Sequence, residues 1–369
     1  MTLRGKAAIV GIGELPTRRS YPGRSLEGLC AEAARLAIED AGLRKEDVDG
    51  LIVDGTNMTP AAMAEYLGMR PNFATGVSMQ GATGATSTAV AASAINARLC
   101  HTALIVMGAA RDATGGGPPR PGAGRGSINT EFEQPFGPAA GAGTGYALIY
   151  RRHMHEYGTT PEQMAKLAVD ERFNALANPN AAFQGQPITI DDVLNSRYIN
   201  EPLHMLECVM PSAGAAACIV TTAERAKSLP NRPVYVLGAG IEQGNAAIWQ
   251  TPRITVTPAR VSAARALAMA GYRPQDMQFA EFYDCYTILV AITLEDAGFV
   301  KKGEIGPFYQ NTDTTYKGDF PINTDGGQIS GGQPGLAGGF RHVIEAARQI
   351  MGRAGPRQVR RNDLCMVNG

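Results

Sequence analysis

The sequence has no excess of charge of either sign and no long apolar run. Among its 369 residues, 34 Lys plus Arg balance 34 Asp plus Glu, so no net field favours nucleic acid or an anionic membrane surface. No stretch reaches the roughly 18 apolar residues of a membrane span, and residues 1–11 lack the apolar core of a signal peptide. These absences predict a cytoplasmic protein that binds small ligands, with no nucleic acid and no membrane as partner.

Paired cysteines are also missing. No C-x-x-C motif is present to hold zinc, and the six cysteines are scattered at positions 30, 100, 208, 218, 285 and 365. We therefore expect reduced, mostly buried thiols and no metal site. His153 and His155 with Glu156 do not change this expectation, because i, i+2 spacing on a helix does not converge on one ion. They favour a solvated helix.

Glycine, in contrast, is abundant. The chain has 44 glycines, where an average usage of roughly 7% would give about 26. This content predicts close packing of backbones. With 44% hydrophobic residues the chain can bury a large core, and its length suggests about two domains.

The local patterns predict strands alternating with helices. Residues 6–13 and 51–55 are short apolar runs that suit buried strands. Residues 25–42 carry apolar side chains at helical spacing, with Ser25 as a cap and Gly42 as the end of the helix.

Two further segments and one inserted region follow. Residues 81–96 and 286–298 are small or apolar on every face, which predicts buried helices. Residues 111–126 are too rich in Gly and Pro to fold by themselves, and 127–200 predict an insertion of helices and loops. Such a region can be a lid or binding loop, or it can be a disordered surface loop without a function of its own, and the sequence does not decide between the two.

An internal repeat divides the chain. The pattern of residues 37–48 returns at 266–277, an offset of 229 residues that is far too long for a solenoid. We predict two homologous α/β halves, residues 1–228, which include the region 111–200, and residues 232–369.

Each half begins with an apolar run that ends in a pair of glycines, IVGIG at 9–13 and VLGAG at 236–240. This pattern suggests a dinucleotide-binding site. After Gly11 and Gly13, however, Pro16 stands where a third glycine is needed, and no clear helix follows residues 236–244. A nicotinamide site is therefore disfavoured.

Six sequence blocks occur in order along the chain: IVGIGE (9–14), AIEDAGLRKEDVDGLIV (37–53), YGTTPEQMAKLA (157–168), PSAGAAACIV (211–220), AEFYDCYT (280–287) and NTDGGQISGGQPGLAGG (323–339). Taken together, they resemble the thiolase superfamily. They are most similar to its branch of sterol-carrier-protein-x-type thiolases and steroid side-chain-cleaving aldolases of the lipid-transfer-protein type.

This resemblance implies a fold and a set of partners. The fold would be the five-layered α/β/α/β/α thiolase arrangement, with two βαβαβαββ halves and an inserted loop domain. The substrate would be an acyl-CoA, with coenzyme A as part of the substrate and no covalently bound cofactor. Family members imply a homodimer, and the aldolases imply a separate OB-fold zinc-ribbon partner.

The resemblance also locates the catalytic positions, and each of them has changed. Gly81 stands where thiolases carry the nucleophilic cysteine, so covalent acyl transfer from this position is excluded. Tyr283 replaces a histidine, as in the aldolases, and Gln333 replaces the histidine of a G-H-P motif, where the aldolases carry a second tyrosine. Asn368 falls near the fourth catalytic cysteine, and the sequence ends at Gly369 where the family continues through more glycines and a final strand.

We therefore expect a retro-aldolase that cleaves a β-hydroxyacyl-CoA, with a steroid or similar side chain, to a carbonyl compound and a shorter acyl-CoA. Tyr283 would donate to or protonate the enolate, and Gln333 with Asp284 would position the hydroxyl or a water. Gly81 would make room for the substrate. The expected substrate-binding residues are Gly81, Gly84, Ser330, Gly332 and Asn368.

Three alternatives stay open at this stage. The chain could be a non-catalytic subunit that binds acyl-CoA or lipid. It could be an acyltransferase with Cys285 as the nucleophile, since Cys285 lies two residues from Tyr283. Tyr283 could also be an ordinary core tyrosine. His101, His204 and His342 are assigned no role.

Overall fold

The computed structural model describes residues 2–111, 142–245 and 248–369. Most of the Gly- and Pro-rich segment predicted at 111–126, and the first part of the region 127–200, lie outside the described residues. No helix within the described ranges is both long and apolar enough to cross a membrane.

Strands and helices alternate along much of the chain. The strands are β1 (Ala7–Glu14), β2 (Gly50–Asp54), β3 (Phe73–Val77), β4 (Thr102–Ala109), β5 (Tyr198–Asn200), β6 (Leu203–His204), β7 (Gly214–Thr222), β8 (Val234–Tyr235), β9 (Phe279–Phe282) and β10 (Cys365–Asn368). The α-helices are α1 (Leu26–Asp40), α2 (Pro60–Leu67), α3 (Thr83–Asn96), α4 (Ala142–Tyr157), α5 (Pro161–Leu176), α6 (Ile190–Asn195), α7 (Ala223–Ala226), α8 (Ala259–Ala270), α9 (Thr287–Asp296), α10 (Ile305–Asn311), α11 (Gly327–Gly331) and α12 (Ala337–Ile350).

The first sheet has six strands in the order β3-β2-β4-β7-β1-β8. Strand β2 runs parallel to β3 and β4, whereas β7 runs antiparallel to β1 and β4. Side chains alternate between its two faces: Ala8 and Val10 of β1 pack toward α1, and Ala7 and Ile9 pack into the cluster that includes α3 and α12. The sheet is therefore covered on both sides.

A second, smaller sheet pairs β9 with β10 in parallel. Helix α12 contacts β9 and β10, and also reaches the first sheet through β7. Helices α8 and α9 share an apolar cluster with β9 and β10. The order of layers is thus α1, first sheet, α3 with α12, second sheet, and α8 with α9. The five-layered α/β arrangement expected from the sequence is confirmed.

The internal repeat is visible in the backbone. The segments Lys45–Asp47 and Pro274–Asp276 are both 3₁₀ turns, separated by the predicted 229 residues. Gly42 and Gly271 follow the ends of the preceding helices, and their φ angles are 68° and 72°. Both glycines adopt the left-handed conformation that helix ends favour. The domain limits at 228 and 232 stay a prediction.

The glycine pairs at positions 11 and 13 and at positions 238 and 240 have a packing role. A Cβ on Gly11 would lie 2.4 Å from the carbonyl oxygen of Ala37, and a Cβ on Gly238 would lie 2.2 Å from that of Ala266. Each glycine lets a helix approach the strand or extended segment beside it. This close approach accounts for glycine here without a bound dinucleotide.

The predicted segments match the observed ones closely. Helix α1 begins after Ser25, whose side chain accepts a hydrogen bond from the backbone N–H of Gly28 at 3.1 Å. Helices α3 and α9 are buried over most of their length, as their composition predicts. The described part of the insertion folds into α4, α5, α6 and the hairpin β5–β6.

Candidate active site

The ring of Tyr283 covers Gly81. Tyr283 follows β9 directly, and its backbone N–H donates to the carbonyl oxygen of Asn368 at 3.2 Å. Gly81 lies in the 3₁₀ turn Gln80–Ala82 before α3. A Cβ on Gly81 would lie 2.4 Å from Cζ of Tyr283 and 2.7 Å from both of its Cε atoms. The tyrosine ring therefore fills the space beside Gly81, and the role expected for Gly81, to make room for the substrate, stays a prediction.

Gln333 holds the hydroxyl group of Tyr283. Its Nε2 donates a hydrogen bond to Oη of Tyr283 at 3.0 Å. The backbone of Gln333 is fixed in turn, because its N–H donates to Met210 and its carbonyl accepts from Ser212. Since Gln333 is the donor, the phenol keeps its own proton for another acceptor.

The phenol of Tyr283 stays protonated at neutral pH. Burial raises its pKa well above the usual value, and the neighbouring Cys285 and Asp284 raise it further, whereas the hydrogen bond from Gln333 lowers it. Tyr283 can therefore act as a hydrogen-bond donor or acid toward an oxyanion.

Asp284 is held by its neighbours in the protein interior. Its carboxylate is fully buried and accepts hydrogen bonds from the backbone N–H groups of Gln328 at 2.6 Å and Ile329 at 3.0 Å. Its Oδ1 also lies 3.0 Å from Nε2 of His342. Burial alone would raise the pKa of Asp284, but His342 lowers it by hydrogen bond and charge, so the net shift is downward. These contacts hold Asp284 in place, and its expected role in positioning the hydroxyl group or a water stays a prediction.

His342, to which the sequence assigned no role, is part of this core. It lies on α12, is 1% exposed, and its Nδ1 is 3.7 Å from a carboxylate oxygen of Glu281. Burial lowers its pKa, but the contacts with Asp284 and Glu281 outweigh this and raise the pKa to about 10. Its ring meets that of Tyr283 edge-on, with centroids 6.4 Å apart. An imidazolium therefore stands beside the Tyr283 ring.

Two further acids complete the buried cluster. Oε1 of Glu171 accepts a hydrogen bond from Nδ2 of Asn323 at 2.7 Å. Burial, followed by the charge of Asp284, raises the pKa of Glu171 well above its usual value. Burial also raises the pKa of Glu281 to about 7. The buried acids of this cluster thus differ in the direction of their pKa shifts: upward for Glu171 and Glu281, downward for Asp284.

Gly84 and Ser330 lie in the packed interior. A Cβ on Gly84 would lie 2.5 Å from Cα of Phe340, so this glycine lets α3 approach α12. Ser330 is fully buried and its Oγ accepts a hydrogen bond from Nε of Arg172 at 2.9 Å. Both residues are packed in the interior, and the substrate contact expected of them stays a prediction.

Gly332 and Asn368 shape the backbone next to the site. Gly332 has a φ of 91°, and a Cβ there would lie 2.7 Å from Cγ2 of Thr17. This position therefore requires glycine to present Gln333. Asn368 pairs with Phe282 in the second sheet, which brings the last residues of the sequence beside the segment that carries Gly81.

Cys285 is poorly suited to be a nucleophile. Its thiol is buried, and burial raises its pKa above the usual range. Its side chain forms a hydrogen bond with Tyr146 of α4, whose ring packs against Tyr286 with centroids 4.8 Å apart. No pattern in the sequence distinguishes Tyr146 from the other tyrosines, because its place at the site depends on how the insertion folds back.

The described residues contain no group of three or more His, Cys, Asp or Glu that could hold a metal ion. His153, expected on a solvated helix, is instead fully buried. Its ring nitrogens lie 2.8 Å from Oγ1 of Thr159 and 3.1 Å from a carboxylate oxygen of Glu295. This pair fixes α4 to α9.

The five-layered α/β arrangement is that of a thiolase-like enzyme. The family of thiolase C-terminal domain-like sequences matches residues 240–369. The chain is 34% identical to a steroid side-chain-cleaving aldolase of Thermomonospora curvata, over 95% of this chain and 91% of the relative. It is equally 34% identical to an acetyl-CoA acetyltransferase of Methanothermobacter thermautotrophicus, over 93% of this chain and 91% of the relative.

A solved structure, the Ltp2-ChsH2(DUF35) aldolase, shares the whole fold. It superposes with a TM-score of 0.88 and 32% sequence identity, over 97% of this chain and 93% of the other. The chain belongs to the thiolase superfamily. The predicted resemblance to steroid side-chain-cleaving aldolases is confirmed.

Proposed function

We propose that this chain is a carbon–carbon lyase that cleaves a β-hydroxyacyl-CoA by a retro-aldol reaction. The observation that carries this proposal is the Tyr283 ring, which fills the space where a thiolase nucleophile would project from position 81. A protonated phenol in this place cannot form an acyl-enzyme, but it can stabilise an enolate. The names of the aldolase relatives support the same reaction class.

The reaction needs a donor at the thioester. As the Cα–Cβ bond breaks, its electron pair enters the thioester enolate, and the β-carbon becomes a carbonyl. Tyr283 donates its hydroxyl proton toward this enolate, while Gln333 fixes the direction of the phenol. Loss of one such oxyanion donor costs about 10²–10³ in kcat in other enzymes.

Asp284 and His342 act as positioning residues for Tyr283. Asp284 fixes α11, which leads into the loop of Gln333, and His342 bridges Asp284 and Glu281 beside the phenol ring. Since Asp284 neighbours Tyr283 in the chain, this network restrains the tyrosine. A carboxamide such as that of Gln333 is no base at neutral pH, so the hydroxyl proton of the substrate needs another acceptor.

The proposed substrate is a thioester with a steroid or similarly bulky acyl group, and coenzyme A belongs to the substrate rather than to the enzyme. The name of the Thermomonospora curvata relative supports a steroid side chain. All six cysteines are free thiols, which agrees with a reducing compartment such as the cytoplasm.

We also propose a homodimer and a separate OB-fold zinc-ribbon partner. Strand β3 is the edge strand of the first sheet, and an open cavity of about 490 Å³ lies beside it. The cavity is lined mainly by apolar residues, including Leu3, Phe73, Val90, Leu99, Ile241 and Met269. Among the described residues no strand pairs with the outer edge of β3. Such an edge next to an apolar surface suits a second copy of the chain. The two-component name of the aldolase structure supports the separate partner.

The test is cleavage of a β-hydroxyacyl-CoA by the full chain, alone and co-expressed with a candidate partner. Tyr283→Phe removes only the hydroxyl and should lower kcat about 10²–10³-fold. Tyr150→Phe is the control, because the buried Tyr150 hydroxyl has no hydrogen-bond partner. Full activity of Tyr283→Phe would overturn the role of Tyr283.

A further inference from the structure

We infer that Asn323 is a positioning residue for Tyr283, because its side-chain amide holds the end of β9 from which the phenol projects. This inference rests on the proposed function, in which Tyr283 donates to the enolate, and it identifies what fixes the backbone of that tyrosine. Asn323 is fully buried, so it acts through Tyr283 rather than on the substrate.

The segment 321–323 extends the smaller sheet beside β9. The backbone N–H of Ala280 donates to the carbonyl oxygen of Pro321 at 3.0 Å, and the N–H of Asn323 donates to the carbonyl oxygen of Ala280 at 3.1 Å. Ala280 and Ile322 thereby form one parallel bridge. A regular parallel ladder would continue with the N–H of Phe282 donating to the backbone carbonyl of Asn323.

The backbone of Asn323 does not continue this ladder. Its φ is 50°, in the left-handed region that asparagine adopts more readily than most residues. The chain turns at this residue, and its carbonyl oxygen accepts from the N–H of Gly326 at 2.9 Å instead. The side chain takes the place of the missing peptide group, because a carboxamide carries the same kinds of donor and acceptor as a peptide bond.

The amide of Asn323 contacts both backbone groups of Phe282. Its Oδ1 accepts from the N–H of Phe282 at 2.7 Å, and its Nδ2 donates to the carbonyl oxygen of Phe282 at 2.9 Å. Nδ2 also donates to Oε1 of Glu171 at 2.7 Å. Both protons of Nδ2 are therefore used, and the contact with Glu171 fixes which end of the amide faces each backbone group.

The peptide group between Phe282 and Tyr283 is consequently bonded at both ends. Its carbonyl oxygen accepts from Asn323, and its N–H donates to the carbonyl oxygen of Asn368 at 3.2 Å. The plane of this peptide group sets the direction in which the Tyr283 side chain leaves the backbone. Since Gln333 holds the hydroxyl group, the tyrosine is fixed at its backbone and at its tip.

The first test is Asn323→Gly in the full chain, assayed with any partner that the wild type requires. Glycine accepts the left-handed backbone but removes the whole amide. We expect kcat for cleavage to fall about 10²-fold, as for a catalytic group displaced by about 1 Å. KM should change little, because a fully buried side chain does not meet the substrate.

The matched control is Asn178→Gly. Asn178 is also buried, and its amide donates to the carbonyl oxygen of Asp325 at 3.0 Å and accepts from the N–H of Asn180 at 3.0 Å. It thus supports the same stretch of chain as Asn323 but has these hydrogen bonds away from β9. Asn178→Gly should lose stability and keep the wild-type kcat.

A second measurement reads the position of the ring without catalysis. With fluorotyrosine at position 283 alone, the ¹⁹F resonance should shift or broaden in Asn323→Gly and stay unchanged in Asn178→Gly. A role for Asn323 in stability alone would leave this resonance unchanged in both variants. If the wild type fails to cleave, the proposed function fails, whereas the resonance still tests the role of Asn323.

Asn323→Asp is the conservative variant. It keeps the shape and the acceptor for the N–H of Phe282, but it has at most one proton for the two acceptors that share Nδ2. Its kcat should therefore lie between those of the wild type and Asn323→Gly. If Asn323→Gly does not fold, Asn323→Asp decides the question, and a wild-type kcat with an unchanged resonance would contradict the inference.

Two results with Asn323→Gly itself would overturn the inference. One is cleavage at the wild-type rate or an unchanged resonance, because Tyr283 would then keep its position without the amide. The other is an equal loss of kcat in Asn178→Gly, because that result indicates a general loss of packing rather than a displaced tyrosine.

Discussion

Adding one methyl group at Gly81 should disable the site. In Gly81→Ala, the new Cβ would lie 2.4 Å from Cζ of Tyr283, whereas carbon atoms in contact prefer about 3.5–4.0 Å. The ring must therefore move by about 1 Å or more, which breaks the 3.0 Å hydrogen bond from Gln333. Overpacking of this kind costs about 1–3 kcal/mol of stability, and a 1 Å displacement of a catalytic group costs about 10²-fold in rate.

The assay combines steady-state cleavage with thermal unfolding in a double-mutant cycle. Gly81→Ala should lower both activity and stability. In a Tyr283→Ala background the ring is absent, so Gly81→Ala should cost little further stability, while activity stays lost. Wild-type activity of Gly81→Ala would refute the argument that Tyr283 fills the place of the nucleophile. So would equal stability losses in both backgrounds, because independent sites add.

Three more predictions concern the residues around Tyr283. Gln333→Ala should lower kcat about five- to tenfold, the equivalent of one neutral hydrogen bond of about 1 kcal/mol, and an unchanged kcat would contradict the role of Gln333. His342 has a pKa near 10 in the folded chain, against an ordinary value of 6.5. The stabilisation of the folded chain by protonated His342 is therefore complete below pH 6.5 and is lost as the pH rises toward 10. In His342→Gln, the free energy of unfolding measured in urea should depend less on pH between these two values. Incubation of the wild type with acyl-CoA should leave its intact mass unchanged, because burial keeps Cys285 protonated. A stable acyl adduct would favour the acyltransferase alternative.

The sequence predicts much of the fold because its main signals are local or regularly spaced. Ser25 and Gly42 mark the ends of α1 within two residues of the observed limits. The repeat at 229 residues predicts the second 3₁₀ turn at Pro274–Asp276. Such patterns reflect hydrogen bonds and packing between near neighbours, which the order of residue types records directly.

The site is predictable in part. The absence of a nucleophile at Gly81 and the presence of Tyr283 are read from the sequence, but the contact between them joins residues about 200 positions apart. The charge of His342 arises because two distant carboxylates, Asp284 and Glu281, meet it in a buried place. Tyr146 reaches Cys285 through the folding of an insertion. None of these relations has a spacing that the sequence alone can reveal.

The most direct test of the central claim asks whether cleavage needs free coenzyme A. A lyase that uses Tyr283 breaks the Cα–Cβ bond of a β-hydroxyacyl-CoA without a thiol co-substrate, whereas a thiolase transfers an acyl group to free coenzyme A. In D₂O without added coenzyme A, we predict a carbonyl compound and a short acyl-CoA that carries one deuterium at Cα, in equal amounts. Cleavage only after free coenzyme A is added, or only of a β-ketoacyl-CoA, would contradict the account.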